Sequence, residues 1–233
     1  RASVIVDESS HVKKIIFHPD MLPAQVIADP ALTCGLSPAV TAATGIDAFV
    51  HCLEAWCAPG FHPMADSVAL EGMRLIKTWL PRAVEDGDDL VARSYMMIAS
   101  TMGATAFQKG LGGIHALAHP LGAIYDKHHG LLNAILIPYV LVRNKEHITE
   151  RITHLASYLT LADTSFDGFL EWIIQFRRAL GIPDHLGAIG ISSEEQEKIG
   201  RLATLDPSAS GNPVRLSDQE YTEIFVNAVA GRL

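Results

Sequence analysis

The 233-residue sequence has no long basic run, and its 18 Lys and Arg against 26 Asp and Glu leave a formal net charge of −8. That balance argues against a phosphate backbone or an anionic membrane as the main partner, because both reward clustered cations. Neither nucleic acid nor membrane is expected. Cysteine is scarce too: Cys34, Cys52 and Cys57 are an odd number in no zinc-ribbon spacing. They exclude a cysteine-rich metal site and a disulfide framework, and leave reduced, mostly buried thiols. Long apolar runs are missing; the stretch 131–142 is too short for a bilayer and is interrupted by Asn133 and Pro138. The opening Arg1-Ala2-Ser3-Val4-Ile5-Val6 has no leader pattern, so the chain reads as cytoplasmic and as a piece of something longer. With 48% hydrophobic and 19% charged residues it can bury a substantial core, and a small-molecule role is favoured.

Three short β-like runs are predicted at 2–6, 14–17 and 25–28, separated by turns at 7–10 and 18–23. Strands so short need a larger sheet around them. From Ser37 the pattern becomes helical. Ser37 suits the N-cap and Pro38 the first helical position, and the run to Cys57 stops before Ala58-Pro59-Gly60. Further helices are predicted at 64–80, 88–108, 115–125, 130–143, 147–159, 166–180, 193–203 and 218–229. Nine helices make a mainly α body, with 206–213 as the best irregular loop.

On the first helix Asp47 and His51 stand four residues apart, on one face. Such a pair fits a surface hydrogen bond or a cap to a buried imidazole as readily as a metal. Ile46, Phe49, Val50 and Leu53 make the helix apolar nearly all round, so both polar groups are expected to be buried and to need partners. A second cluster follows, with His115, His119, His128 and His129 within fifteen residues. His115 and His119 share a helical face, and Gly122 and Gly130 are expected to let the chain turn so that His129 comes back towards them. These imidazoles could be merely packed or titrating. Three of them with one carboxylate and no thiolate would suit catalytic Fe(II) or Zn(II) with a position left for substrate.

The segment Ala43-Thr44-Gly45-Ile46-Asp47-Ala48-Phe49-Val50-His51-Cys52-Leu53-Glu54-Ala55 resembles the metal helix of iron-containing alcohol dehydrogenases. Residues 113–130 resemble their second signature of spaced histidines, and the likeness extends to 66–71, 133–138 and 211–215. The resemblance implies a helical metal-binding domain, residues 34–233, preceded at 1–33 by strands left from an α/β nucleotide-binding domain, in the dehydroquinate synthase-like fold. It implies a metal held by Asp47, His51, His115 and His129, with Fe(II) expected and Zn(II) possible. His119 would be a non-ligand beside nicotinamide and substrate, suited to proton relay, and His128 an exposed residue without a role. Lys13, with Lys14 next to it, would approach the ribose of NAD or NADP, and Leu32 would pack on the adenine. The implied activity is hydride transfer between NAD(P) and a small alcohol or aldehyde, in a homo-oligomer, expected as a dimer.

The family's glycine-rich pyrophosphate loop and its ribose-reading acid are not among these 233 residues, so the chain by itself is expected to be inactive. Two alternatives remain. One is a metal-independent enzyme like maleylacetate reductase; the other is a non-catalytic metal-binding helical module.

Overall fold

A computed structural model describes residues 2–7 and 12–233 of the chain. Strands β1 (Ala2–Asp7) and β2 (Val12–Phe17) pair antiparallel, with Ala2 opposite Phe17 and Asp7 opposite Val12. The second strand therefore starts two residues before the predicted one. Most of the turn predicted at 7–10 lies outside the described residues. The third predicted strand, 25–28, does not form: its residues are exposed and join no ladder. Apolar content alone cannot make a strand without a neighbour to take its backbone hydrogen bonds.

Eight α-helices follow among the described residues: α1 (Pro38–Cys57), α2 (Pro63–Glu85), α3 (Leu90–Ala106), α4 (Gly113–Tyr125), α5 (His129–Tyr158), α6 (Phe166–Ala179), α7 (Gln196–Leu205) and α8 (Asp218–Ala230). As the sequence predicts, Ser37 caps α1, accepting from Val40 N, with Pro38 in the first turn. The helices predicted at 130–143 and 147–159 are in fact one, α5. The intervening Asn144-Lys145-Glu146 contains no breaker, and the buried Asn144 amide is paired with Asn212 in both directions at 2.8 and 2.9 Å. Pro138 does not interrupt α5 either. Its missing N–H strands the carbonyl of Ala134; Arg177 on α6, only 2% exposed, donates Nη1 to Ala134 O at 3.3 Å and to Ile135 O at 2.8 Å. The predicted loop 206–213 holds a tight helical turn, Pro207–Gly211, whose first residues are capped by Asp206.

The core sits around α1, which packs on α2, α3 and α5, while α4 lies between α5 and α7. Ile46, Phe49, Val50 and Leu53 are all buried, which is why the helix reads as apolar on nearly every side. The handover from α4 to α5 differs from the expectation. Gly122 and Gly130 lie inside helices, and the reversal is made by Asp126, left-handed at φ 49° and ψ 48°. Gly130 serves close packing instead: a Cβ there would stand 2.4 Å from Ala43 O and 3.1 Å from the Asp47 Cβ. Only a residue without a side chain lets the start of α5 rest on α1 at this point. No helix among the described residues is long and apolar enough to cross a membrane.

Candidate metal centre

Helix α1 presents Asp47, His51 and Glu54 at spacings of four and three, on one face. Asp47 and His51 are half-buried rather than enclosed, whereas Glu54 is buried. Helix α4 starts opposite this face without a capping side chain of its own. Its first N–H groups are satisfied from a distance: Glu54 accepts from Gly112 N at 2.8 Å and Ile114 N at 2.6 Å, and Asn212 accepts from Gly113 N at 3.0 Å. That anchoring turns His115 towards α1, where its Nδ1 lies 2.7 Å from Glu54 Oε2. His129, the first residue of α5, arrives from the other side.

The resulting group is compact. Donor atoms of Asp47, His51 and His115 lie within 4.8 Å of one another. His115 Nε2 and His129 Nε2 are each 3.8 Å from Asp47 Oδ1. The rings of His51 and His115 stack with centroids 4.9 Å apart, and those of His115 and His129 are 5.2 Å apart. Asn133, four residues after His129 and fully buried, pushes its amide into this group. Its Nδ2 is 2.5 Å from Asp47 Oδ1, 3.1 Å from His129 Nε2 and 3.2 Å from His115 Nε2. Three acceptors thus crowd on one amide nitrogen that carries two protons. Asn133 Oδ1 has no hydrogen-bond partner among the described residues. An arrangement of converging lone pairs, one of them anionic, fits a cation better than it fits an amide. The donor chemistry, imidazole and carboxylate without thiolate, fits Fe(II) or Zn(II).

The shifts of Asp47 and His51 favour a cation, whereas that of His115 favours the protonated ring. Burial alone would raise the Asp47 pKa, but His51, His129 and His115 nearby, with the Asn133 hydrogen bond, hold it below the usual carboxylate value. Burial pushes the His51 imidazole down to about 4, with Asp47 opposing and His115 reinforcing the shift, so the ring is neutral at pH 7. For His115 burial also works downward, but the charge and hydrogen bond of Glu54 prevail and raise it. Beside the group, His119 Nδ1 lies 2.8 Å from Asp206 Oδ2, and its ring stacks on His129 at 5.3 Å. Asp206 thus fixes the orientation of the His119 ring through Nδ1.

Asp47, His51, His115, His119 and His129 are therefore brought together. His128 is exposed and accepts at 3.4 Å from Leu131 N at the start of α5. Leu32 is not part of this group: it sits on the short turn Pro30–Thr33, 81% exposed. Lys13 lies in β2, and its side chain is outside the described part of the structure. Three residues with evident contacts were not singled out from sequence. Glu54 had a signal, three residues beyond His51 on the same face, and so did Asn133, one turn after His129. Asp206 had none, being 87 residues from His119.

Residues 41–229 match the profile of the Fe-containing alcohol dehydrogenase family, C-terminal. The chain belongs to the iron-containing alcohol dehydrogenase family. It is 37% identical to a 4-hydroxybutyrate dehydrogenase of Cupriavidus necator, across 96% of this chain and 60% of that protein. With alcohol dehydrogenase 4 of Saccharomyces cerevisiae it shares 33% identity across 98% of this chain and 60% of the relative. The crystal structure of a 1,3-propanediol oxidoreductase superposes with a TM-score of 0.93 at 34% identity, covering 98% of this chain and 62% of the other. The chain thus spans about 60% of the length of the curated relatives it matches. The fold expected from the sequence, a helical domain of this family preceded by a few strands, is the one observed.

Proposed function

We propose that these residues form the metal-binding part of a dehydrogenase that moves hydride between NAD(P) and a small alcohol or aldehyde. The observation that carries the reading is that Asp47, His51 and His115 bring donor atoms within 4.8 Å of one another, with His129 Nε2 3.8 Å from Asp47 Oδ1 and the Asn133 amide crowded by Asp47, His115 and His129. These four would hold Fe(II), with Zn(II) as a second choice, and Asn133 would give way to the ion. When bound, such an ion acts as a Lewis acid towards a substrate oxygen. The carboxylate of Asp47 offsets part of its charge, and the neutral His51 keeps a lone pair for it. His119, positioned by Asp206, would pass a proton to or from the substrate hydroxyl. Residues 34–233 would be the catalytic helical domain and 1–33 the end of a nucleotide-binding domain, with Lys13 and Leu32 on the cofactor side. Similarity to a 4-hydroxybutyrate dehydrogenase and a 1,3-propanediol oxidoreductase favours a short substrate. These 233 residues alone are expected to bind metal without turnover, since no glycine-rich pyrophosphate loop is among them.

The test uses the complete protein with NADH or NADPH and short aldehydes, metal-loaded and after chelation. Turnover that disappears on chelation and returns with Fe(II) or Zn(II) is expected. Undiminished turnover in metal-free protein would instead favour a metal-independent reductase.

A further inference from the structure

Glu54 occupies a place that a helix cap does not fully explain. Capping the first turn of α4 needs acceptors for Gly112 N and Ile114 N, and Glu54 supplies one with each oxygen. The same Oε2 also lies 2.7 Å from His115 Nδ1, so the carboxylate joins the start of α4 to a ring that faces Asp47. Both Glu54 oxygens already accept backbone N–H groups, so the proton in the bond to His115 comes from the ring. A neutral imidazole carrying its proton on Nδ1 has its lone pair on Nε2. That Nε2 is the atom 3.8 Å from Asp47 Oδ1 and 3.2 Å from Asn133 Nδ2. Glu54 is 6% exposed and His115 1%, so water does not compete for either partner. Placed on α1 seven residues after Asp47, Glu54 also ties the geometry of one donor to that of another.

We propose that Glu54 is a positioning residue for the metal centre: it holds His115 in the Nδ1–H tautomer with Nε2 directed at the ion. The proposal rests on the reading of Asp47, His51, His115 and His129 as ligands. It adds a residue that touches neither the ion nor the substrate. Carboxylates that orient a ligating imidazole in this manner typically alter metal affinity by about 10- to 100-fold when replaced.

The experiment uses Zn(II) as probe, with the chain and its Glu54→Gln variant. Glutamine keeps one acceptor for the α4 N-terminus and has the volume of glutamate, but it cannot accept all three bonds. Three readouts are taken: zinc affinity by chelator competition, the thermal melt, and the His115 ring nitrogens by ¹⁵N NMR. We expect zinc binding about 10- to 100-fold weaker in the variant, with the helical signal retained. In the zinc-loaded parent chain, His115 should show metal on Nε2 and a proton on Nδ1. Unchanged affinity in a folded variant would overturn the proposal, as would a shift in melting temperature alone, which is the mark of a cap and nothing more. Should Glu54→Gln fail to fold, the parent spectrum decides: Nδ1 bound to zinc or unprotonated overturns the proposal, and Nδ1–H supports it. Absence of zinc binding in the parent chain would instead remove the ligand reading itself, and the two failures are thereby told apart.

Discussion

Gly130→Ala is a sharp perturbation because two known effects oppose each other at this position. In an unconstrained helix the change would stabilise by about 1 kcal/mol through helix propensity. Here the added Cβ would come 2.4 Å from Ala43 O and 3.1 Å from the Asp47 Cβ. Restoring ordinary contact of about 3.5 Å requires the start of α5 to retreat from α1 by roughly 1 Å. Backbone is met on one side and a packed helix on the other, so no flexible side chain absorbs the movement. Overpacking of this kind costs about 1–3 kcal/mol, which cancels or exceeds the propensity gain and leaves a net loss of roughly 0–2 kcal/mol. For a domain of this size that lowers the melting temperature by about 2–4 °C per kcal/mol. The effect on the metal centre should be larger. His129 is the residue before Gly130 and faces Asp47 across the same contact, and a metal site tolerates displacements of only about 0.2 Å. Zinc affinity measured by chelator competition should therefore fall by roughly an order of magnitude or more, alongside a modest drop in the melt. A variant that melts higher than the parent and binds zinc equally well would refute the argument that α1 and α5 are in enforced contact.

In the complete enzyme, His129→Ala is expected to release metal and abolish turnover, while His119→Ala keeps metal and loses rate by about 10²- to 10⁴-fold; equal metal loss in both, measured by elemental analysis, would contradict the division of roles. Burial pushes Cys52 and Cys57 up to about 12. Brief alkylation of the folded chain at pH 8 should therefore label Cys34 alone by mass spectrometry, and labelling of all three thiols would contradict that burial. In the metal-free chain an NMR pH titration should find His51 still neutral at pH 5 and His115 gaining its proton above the ordinary 6.5. The depressed His51 value contributes stability that is present above pH 6.5 and declines by up to about 1.4 kcal/mol per pH unit as pH falls towards 4. His115 acts with the opposite sign, its raised value adding stability as pH falls through the folded pKa.

Much of this was readable in the sequence because local spacing carries it. Asp47 and His51 one turn apart in an apolar helix, the Ser37-Pro38 start of α1 and the histidines of 115–129 are all short-range signals, and they lie where the spacing puts them. Errors arose where the deciding partner was distant. The predicted break between 143 and 147 does not occur; Asn212 pairs with the Asn144 amide from 68 residues away, and Arg177 takes the carbonyl of Ala134 from 43 residues away. Residues 25–28 had strand composition but no strand beside them. Gly130 looked like a turn because glycine usually marks one, and its use in packing depends on Ala43, which no local pattern reveals. Asp206 approaches His119 only through the tertiary fold. Asn133 and Glu54 were within reach of the one-turn spacing argument that found the histidines.

The most direct test of the account is anomalous diffraction from crystals of the zinc-loaded chain, collected on both sides of the zinc edge. A four-ligand centre predicts one strong peak about 2.0 to 2.2 Å from Asp47, His51, His115 Nε2 and His129 Nε2 together, with the Asn133 amide displaced from its present contacts. A peak located elsewhere, or one that leaves any of the four beyond about 3 Å, would contradict it.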